Sequence, residues 1–232
     1  MNMELRGQNC LSYWFPKIMD LVPVPKTEII HTSVNLIETV TQPDVMPKGF
    51  DDFIKQLGDA CDEMGYPCFL RTGHTSGKFE WRDTCFVASR EVLPAHVAAL
   101  VEYSECVDLI GLPYNVWAVR ELLPTRSYGT AFRGMPVCKE FRVFVEGPQV
   151  RCWHPYWPEN SFKGNLPAEY NELCKLEEED QRIVLNMASK VGYMMNNQWS
   201  VDVLLTDRGW YVTDMARAES SWHWPECPNA GV

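Results

Sequence analysis

The sequence predicts an α+β fold of two mainly antiparallel sheets with helices packed on their outer faces. Two observations predict it. The elements run strand, loop, strand, helix, strand, then hairpin, helix, hairpin, without the regular βαβ alternation of a doubly wound sheet. Two pairs of apolar segments flank short turn sequences, Gly147-Pro148 and Asp207-Arg208-Gly209, and read as β-hairpins.

Each element has its own signal. Residues 1–49 are broken repeatedly by Pro16, Pro23, Pro25, Pro43 and Pro47, and Tyr13, Trp14 and Phe15 are the candidates to anchor them. Asp51 to Met64 reads as a helix: Phe53, Ile54, Leu57, Ala60, Cys61 and Met64 share a face, and Gly65 stops it. Tyr66 to Arg71 is a short apolar strand, residues 72–78 a small-residue loop, and Thr84 to Ala88 a second strand. Pro94 to Ile110 carries Val97, Leu100, Val101 and Val107 at helical spacing, and Val116 to Leu123 is a strand ending at Pro124. Val137 to Val145 and Val150 to Trp157 form the first hairpin. Glu177 to Met195 is a long helix whose acidic start, Glu177 to Asp180, suits the positive end of a helix dipole and a solvated face. Trp199 to Thr206 and Trp210 to Met215 form the closing hairpin.

Composition bounds the function. The chain has 232 residues, 46% hydrophobic and 22% charged, enough for a substantial core. A net charge of −10 makes it a poor partner for nucleic-acid phosphates or an anionic membrane, while leaving room for a local basic pocket. No stretch approaches the ~20 apolar residues of a membrane span, and the start, with Glu4 and Arg6, lacks a long apolar leader, so a cytoplasmic protein is expected. The nine cysteines are scattered without a CxxC pair and read as reduced, buried thiols.

Four segments can carry chemistry. In the closing hairpin, a three-residue turn at 207–209 sets Asp202 opposite Asp214 on one face; a two-residue turn sets them on opposite faces. Facing carboxylates among apolar residues call for a proton or a divalent cation, and oxygen ligands favour Mg²⁺. In the strand Cys138 to Val145, Glu140 and Arg142 share a face; Arg142 there needs an anionic partner, either Glu140 or a phosphate. After Arg71, the loop with Gly73, Thr75, Ser76 and Gly77 allows backbone amides near an anion, and Lys78 closes it with a mobile charge; taken alone, an ordinary exposed loop is the simpler account. The strand Val116 to Leu123 carries Arg120 and Glu121 near its end, where a salt-bridged edge is the simpler account. Cys152 with His154, and His223 with Cys227, are candidate metal ligands, but two apiece among many tryptophans favour packing.

In order and spacing these segments, from Phe69-Leu70-Arg71 to Ser76-Gly77-Lys78, Val119-Arg120-Glu121, Glu140-Phe141-Arg142, Val201-Asp202-Val203 and Thr213-Asp214-Met215, resemble the ATP-grasp superfamily over roughly residues 66–220. The branch is similar to the eukaryotic cell-division-cycle 123 proteins and their bacterial and phage relatives. The resemblance implies a nucleotide held between two lobes, residues 66–125 and 126–232, following an N-terminal segment, 1–65. It implies ATP and Mg²⁺ as cofactors. Arg71 and Lys78 would reach phosphates, and Val119, Arg120 and Glu121 would line the adenine. Glu140 and Arg142 would stand at the γ-phosphate, with Arg142 and Lys78 as the catalytic cations. Asp202 and Asp214 would hold metal. The family's Asn two residues beyond the second acid is replaced by Ala216, for which Glu219 is the substitute oxygen. The implied activity is a ligase that activates a carboxylate as acyl-phosphate for attack by an amine or other nucleophile. The alternative is a non-catalytic ATP-binding assembly or chaperone module for a protein partner. The acceptor, small molecule or polypeptide, is not encoded in any motif.

Overall fold

The computed structural model describes residues 7–42, 44–107, 110–162, 166–225, 227 and 229. Glu4, Arg6 and Pro43, and part of the helix expected to run to Ile110, lie outside them. The chain forms two compact units. One comprises Met1–Pro25, Leu123–Ala131 and Pro136–Val232; the other comprises Lys26–Leu122 and Phe132–Met135.

The unit starting at Lys26 is built on a four-stranded antiparallel sheet of order β1-β4-β2-β3, where β1 is Thr27–His31, β2 Cys68–Thr72, β3 Phe86–Val87 and β4 Val116–Glu121. Strand alternation divides its residues. Cys68, Leu70, Trp117 and Val119 join Phe53, Leu57 and Cys61 of one helix, Phe50–Met64, and Leu93, Val97, Leu100 and Val101 of another, Leu93–Cys106, in one core. Arg71 and Arg120 lie on the opposite face, both buried, with Arg71 opposite Ala118 and Arg120 opposite Phe69. The second helix stops at Cys106 because Val107 is already extended.

The other unit carries a second antiparallel sheet, order β10-β9-β7-β8, formed by β7 (Glu140–Glu146), β8 (Gln149–Pro155), β9 (Gln198–Thr206) and β10 (Gly209–Arg217). A two-stranded ribbon, β5 (Gly129–Ala131) with β6 (Met135–Val137), precedes it in the chain. Phe141, Val143, Val201 and Val203 point to the core side, where the helix Glu178–Met195 lies with Val184, Ala188 and Val191 buried. Gly192 allows that helix to approach the β7–β8 turn: a Cβ there would overlap the Gly147 carbonyl oxygen. The proline-rich start does contain an anchor. Leu11–Ile18 is a helix with Leu11, Trp14, Phe15 and Ile18 buried, and Tyr13 stacks on Trp199 at 6.3 Å. Within the acidic helix start, Asp180 accepts a 2.8 Å hydrogen bond from Trp210 Nε1; Glu178 and Glu179 are exposed, as a solvated face requires. The nine cysteines are free thiols, six of them buried and Cys106 exposed. No helix among the described residues is long and apolar enough to cross a membrane.

Candidate functional site

The polar face of the second sheet gathers a row of four side chains. His154 on β8 pairs with Arg142 on β7, Arg142 with Asp202 on β9, and Asp202 with Asp214 on β10. Residues paired across antiparallel strands share a face, so all four project to one side. The turn of the closing hairpin has two residues, since Thr206 pairs with Gly209. Alone it would place the two aspartates on opposite faces. A bulge corrects this: Val212 pairs with Val203, Asp214 with Asp202, and Thr213 is the extra residue. The facing of Asp202 and Asp214 is therefore set by the bulge and not by a three-residue turn. Thr213 braces the spot, with its hydroxyl 3.2 Å from Glu140 Oε1 and 3.4 Å from the Asp202 carbonyl.

The ion partner of Arg142 is Asp202, not Glu140. The guanidinium meets the carboxylate in a two-point fork, Nε to Oδ1 and Nη2 to Oδ2, each 2.7 Å. The pairing of β7 with β9 puts the two side by side across 60 residues of sequence, closer than the neighbour two positions away on the same strand. Nη1 donates to the Trp222 carbonyl at 3.2 Å, and the Tyr156 ring lies 4.8 Å from the guanidinium carbon. Burial works against the charge on Arg142, and the Asp202 carboxylate outweighs it, so the pKa is raised. Asp214 Oδ1 accepts the Met215 amide at 3.0 Å. His154 Nδ1 donates to the Pro155 carbonyl at 2.8 Å, and burial pushes this imidazole down to about 4, so it is neutral near pH 7.

The other expected residues lie on other elements. Glu219 lies exposed in a short turn after β10, 3.3 Å from the Arg217 guanidinium. Ala216 is opposite Ser200. Arg71 and Arg120 share the non-core face of the other unit's sheet; Arg71 Nε donates to the Thr72 carbonyl and Arg120 Nε to Thr27 Oγ1. Glu121 Oε1 accepts the Lys26 amide, and Lys78 begins a 3₁₀ turn behind Gly77. The loop 72–78 spends several of its amides internally, His74 and Thr75 donating to Thr72 Oγ1 and Gly77 to Thr75 Oγ1, while Gly73 donates outside it to the Val116 carbonyl. Threonine hydroxyls compete for those amides, so they are not aimed at an anion here. Thr213, Tyr156 and Trp222 were not foreseen as site residues; a bulge and a contact across 80 residues leave no local sequence signal.

Asp202 and Asp214, facing each other across β9 and β10, offer the oxygen donors that Mg²⁺ prefers. Both Asp202 oxygens engage Arg142, yet each carboxylate oxygen retains a further lone pair.

No family model matches the sequence, and no curated protein matches it. Solved structures do. A RimK domain ATP-grasp protein from Sphaerobacter thermophilus superposes with TM-score 0.52 at 14% identity, covering 91% of this chain and 60% of that one. N5-carboxyaminoimidazole synthase from Aspergillus clavatus, solved with ADP and 5-aminoimidazole ribonucleotide, gives TM-score 0.52 at 12% identity over 92% and 45% of the two chains. The chain has the ATP-grasp fold. Within that fold it resembles Cdc123 from Schizosaccharomyces pombe, whose C-terminally truncated form superposes with TM-score 0.60 at 14% identity over 94% of this chain and 86% of that one.

Proposed function

We propose that the protein binds Mg-ATP and uses it as a ligase, activating a carboxylate as acyl-phosphate for attack by an amine or other nucleophile. The observation that carries this reading is the row Arg142, Asp202 and Asp214, made by a bulge on the polar face of an ATP-grasp sheet. Asp202 and Asp214 would hold the metal, and Glu219 would add an oxygen by leaving Arg217. Bound Mg²⁺ neutralises charge on the transferred phosphoryl group. Arg142, fixed by Asp202 and Tyr156, presents its guanidinium without first having to be ordered, which is the preorganisation that phosphoryl stabilisation requires. In the other unit, Arg71 and Lys78 keep the phosphate roles, and Val119, Arg120 and Glu121 the adenine-lining role, that the resemblance gives them. The partner is an acceptor, small molecule or polypeptide, and the compartment proposed is the cytoplasm.

The test is calorimetric titration with a non-hydrolysable ATP analogue, with and without Mg²⁺, followed by ADP release across a panel of carboxylates and amines. Mg-dependent binding and acceptor-dependent ADP release are expected. Absence of nucleotide binding at saturating analogue overturns the reading. Ala216, at the position where the family has Asn, favours a second reading: an ATP-binding assembly or chaperone module for a protein partner. Mg-dependent binding without ADP release from any acceptor would select it.

A further inference from the structure

We propose that Cys152, His223 and Cys227 form a second metal site, one that takes a thiophilic divalent cation, zinc by its donor set. Cys152 lies on β8, on the same sheet face as Arg142 but one pair further along. His223 and Cys227 lie in the segment after β10, 71 and 75 residues away in sequence. Cys152 Sγ and His223 Nε2 are 2.9 Å apart, and the three ligand atoms all fall within 4.8 Å of one another. Ligands about 2.0–2.3 Å from a tetrahedral zinc stand roughly 3.5 Å from each other, so closing the set takes a movement of about an ångström. Two thiolates and an imidazole select zinc over Mg²⁺, which prefers oxygen.

A second observation points the same way. His154, two residues along β8 from Cys152, holds its ring 5.4 Å from that of His223. Its Nε2 is buried without a hydrogen-bond partner among the described residues, while Nδ1 donates to a backbone carbonyl. That outer contact fixes the tautomer of a metal-binding histidine and leaves Nε2 as the lone pair for the metal. His154 lies outside the three-atom cluster as placed, and by turning its ring toward it would become the fourth ligand of the proposed set. Packing and single hydrogen bonds otherwise hold the segment: Trp224 stacks on His154 at 5.3 Å, and Cys227 Sγ donates to the Trp153 carbonyl at 3.4 Å. Metal binding releases the two thiol protons to solvent and fastens the segment to β8. Because Trp222 in this segment accepts from Arg142, the site also steadies the guanidinium. The inference does not rest on the nucleotide reading.

The experiment uses the full chain, kept reduced, freed of metal by a chelator and titrated with Co²⁺ and Zn²⁺. Expected are one ion per chain, a thiolate-to-cobalt charge-transfer band with the visible bands of a tetrahedral ion, and displacement of cobalt by zinc. Cys227→Ser and His223→Gln, both outside the sheet and so compatible with folding, are each expected to weaken affinity at least about tenfold. His154→Gln is expected to weaken binding while leaving the charge-transfer band. Three results would overturn the proposal: a cobalt spectrum like that of the free ion, affinity unchanged in the Cys227 and His223 variants, or a thiol count in the unreduced, unfolded chain two short of nine because Cys152 and Cys227 form a disulfide.

Discussion

Removing Asp202 should cost far more than a surface ion pair is worth. The Arg142 and Asp202 side chains are 15% and 5% exposed and share two 2.7 Å hydrogen bonds. Unit charges about 4 Å apart at an effective dielectric near 20 attract by about 4 kcal/mol. Breaking a buried pair by removing one member costs about 3–5 kcal/mol, because the survivor stays buried without its counter-charge. Asp202→Ala and Arg142→Ala are each expected to lower the unfolding free energy by about that amount. The double variant Arg142→Met with Asp202→Leu removes both charges and keeps the volume, and is expected to be more stable than either single variant. Urea unfolding followed by tryptophan fluorescence, with the slope checked for each variant, completes the cycle. Single variants costing less than about 1 kcal/mol, the range of exposed pairs, would refute the buried-pair reasoning, as would a double variant whose loss equals the sum of the singles.

Further outcomes are expected elsewhere. Asp214→Asn keeps the fold but should abolish the Mg²⁺ dependence of nucleotide binding; unchanged Mg-ATP affinity removes Asp214 from the metal set. Gly192→Ala should destabilise by about 1–3 kcal/mol in chemical denaturation, since the new methyl meets the Gly147 carbonyl and the Val145 side chain; a neutral effect would mean the helix retreats freely. Burial lowers the pKa of His96 from its ordinary 6.5. The neutral form is the one the fold accepts, so this stability is full above pH 6.5 and is lost as pH falls through the lowered value. His96→Gln should flatten that acid slope, and an identical slope in the variant would exclude His96 as its source.

Much of the fold was legible because it is written in local period. The helix at Phe50–Met64 and both hairpins of the second sheet lie where spacing and turn residues put them. The facing of Asp202 and Asp214 was legible only as one of two alternatives, and the feature that decides it, a bulge at Thr213, has no sequence mark. The sequence leaves the partner of Arg142 open between Glu140 and a phosphate, because Asp202 reaches it only through strand pairing. The same limit hid the meeting of Cys152 with His223 and Cys227, which the fold brings into one cluster. It also hid β1, which pairs with β4 some 90 residues later in the chain.

The unit that bears Arg142 is discontinuous in sequence: Met1–Pro25 belongs with residues beyond Leu123, and the other unit is threaded between. During synthesis the helix Leu11–Ile18 emerges long before Trp199, on which Tyr13 stacks, or the helix Glu178–Met195, against which it packs, exists. The first unit cannot close until most of the chain has been made, whereas the intervening one has nearly all its residues by Leu122. Vectorial folding therefore runs from the inserted unit outward, and the early apolar helix is the stretch with the longest wait and the greatest call on a chaperone.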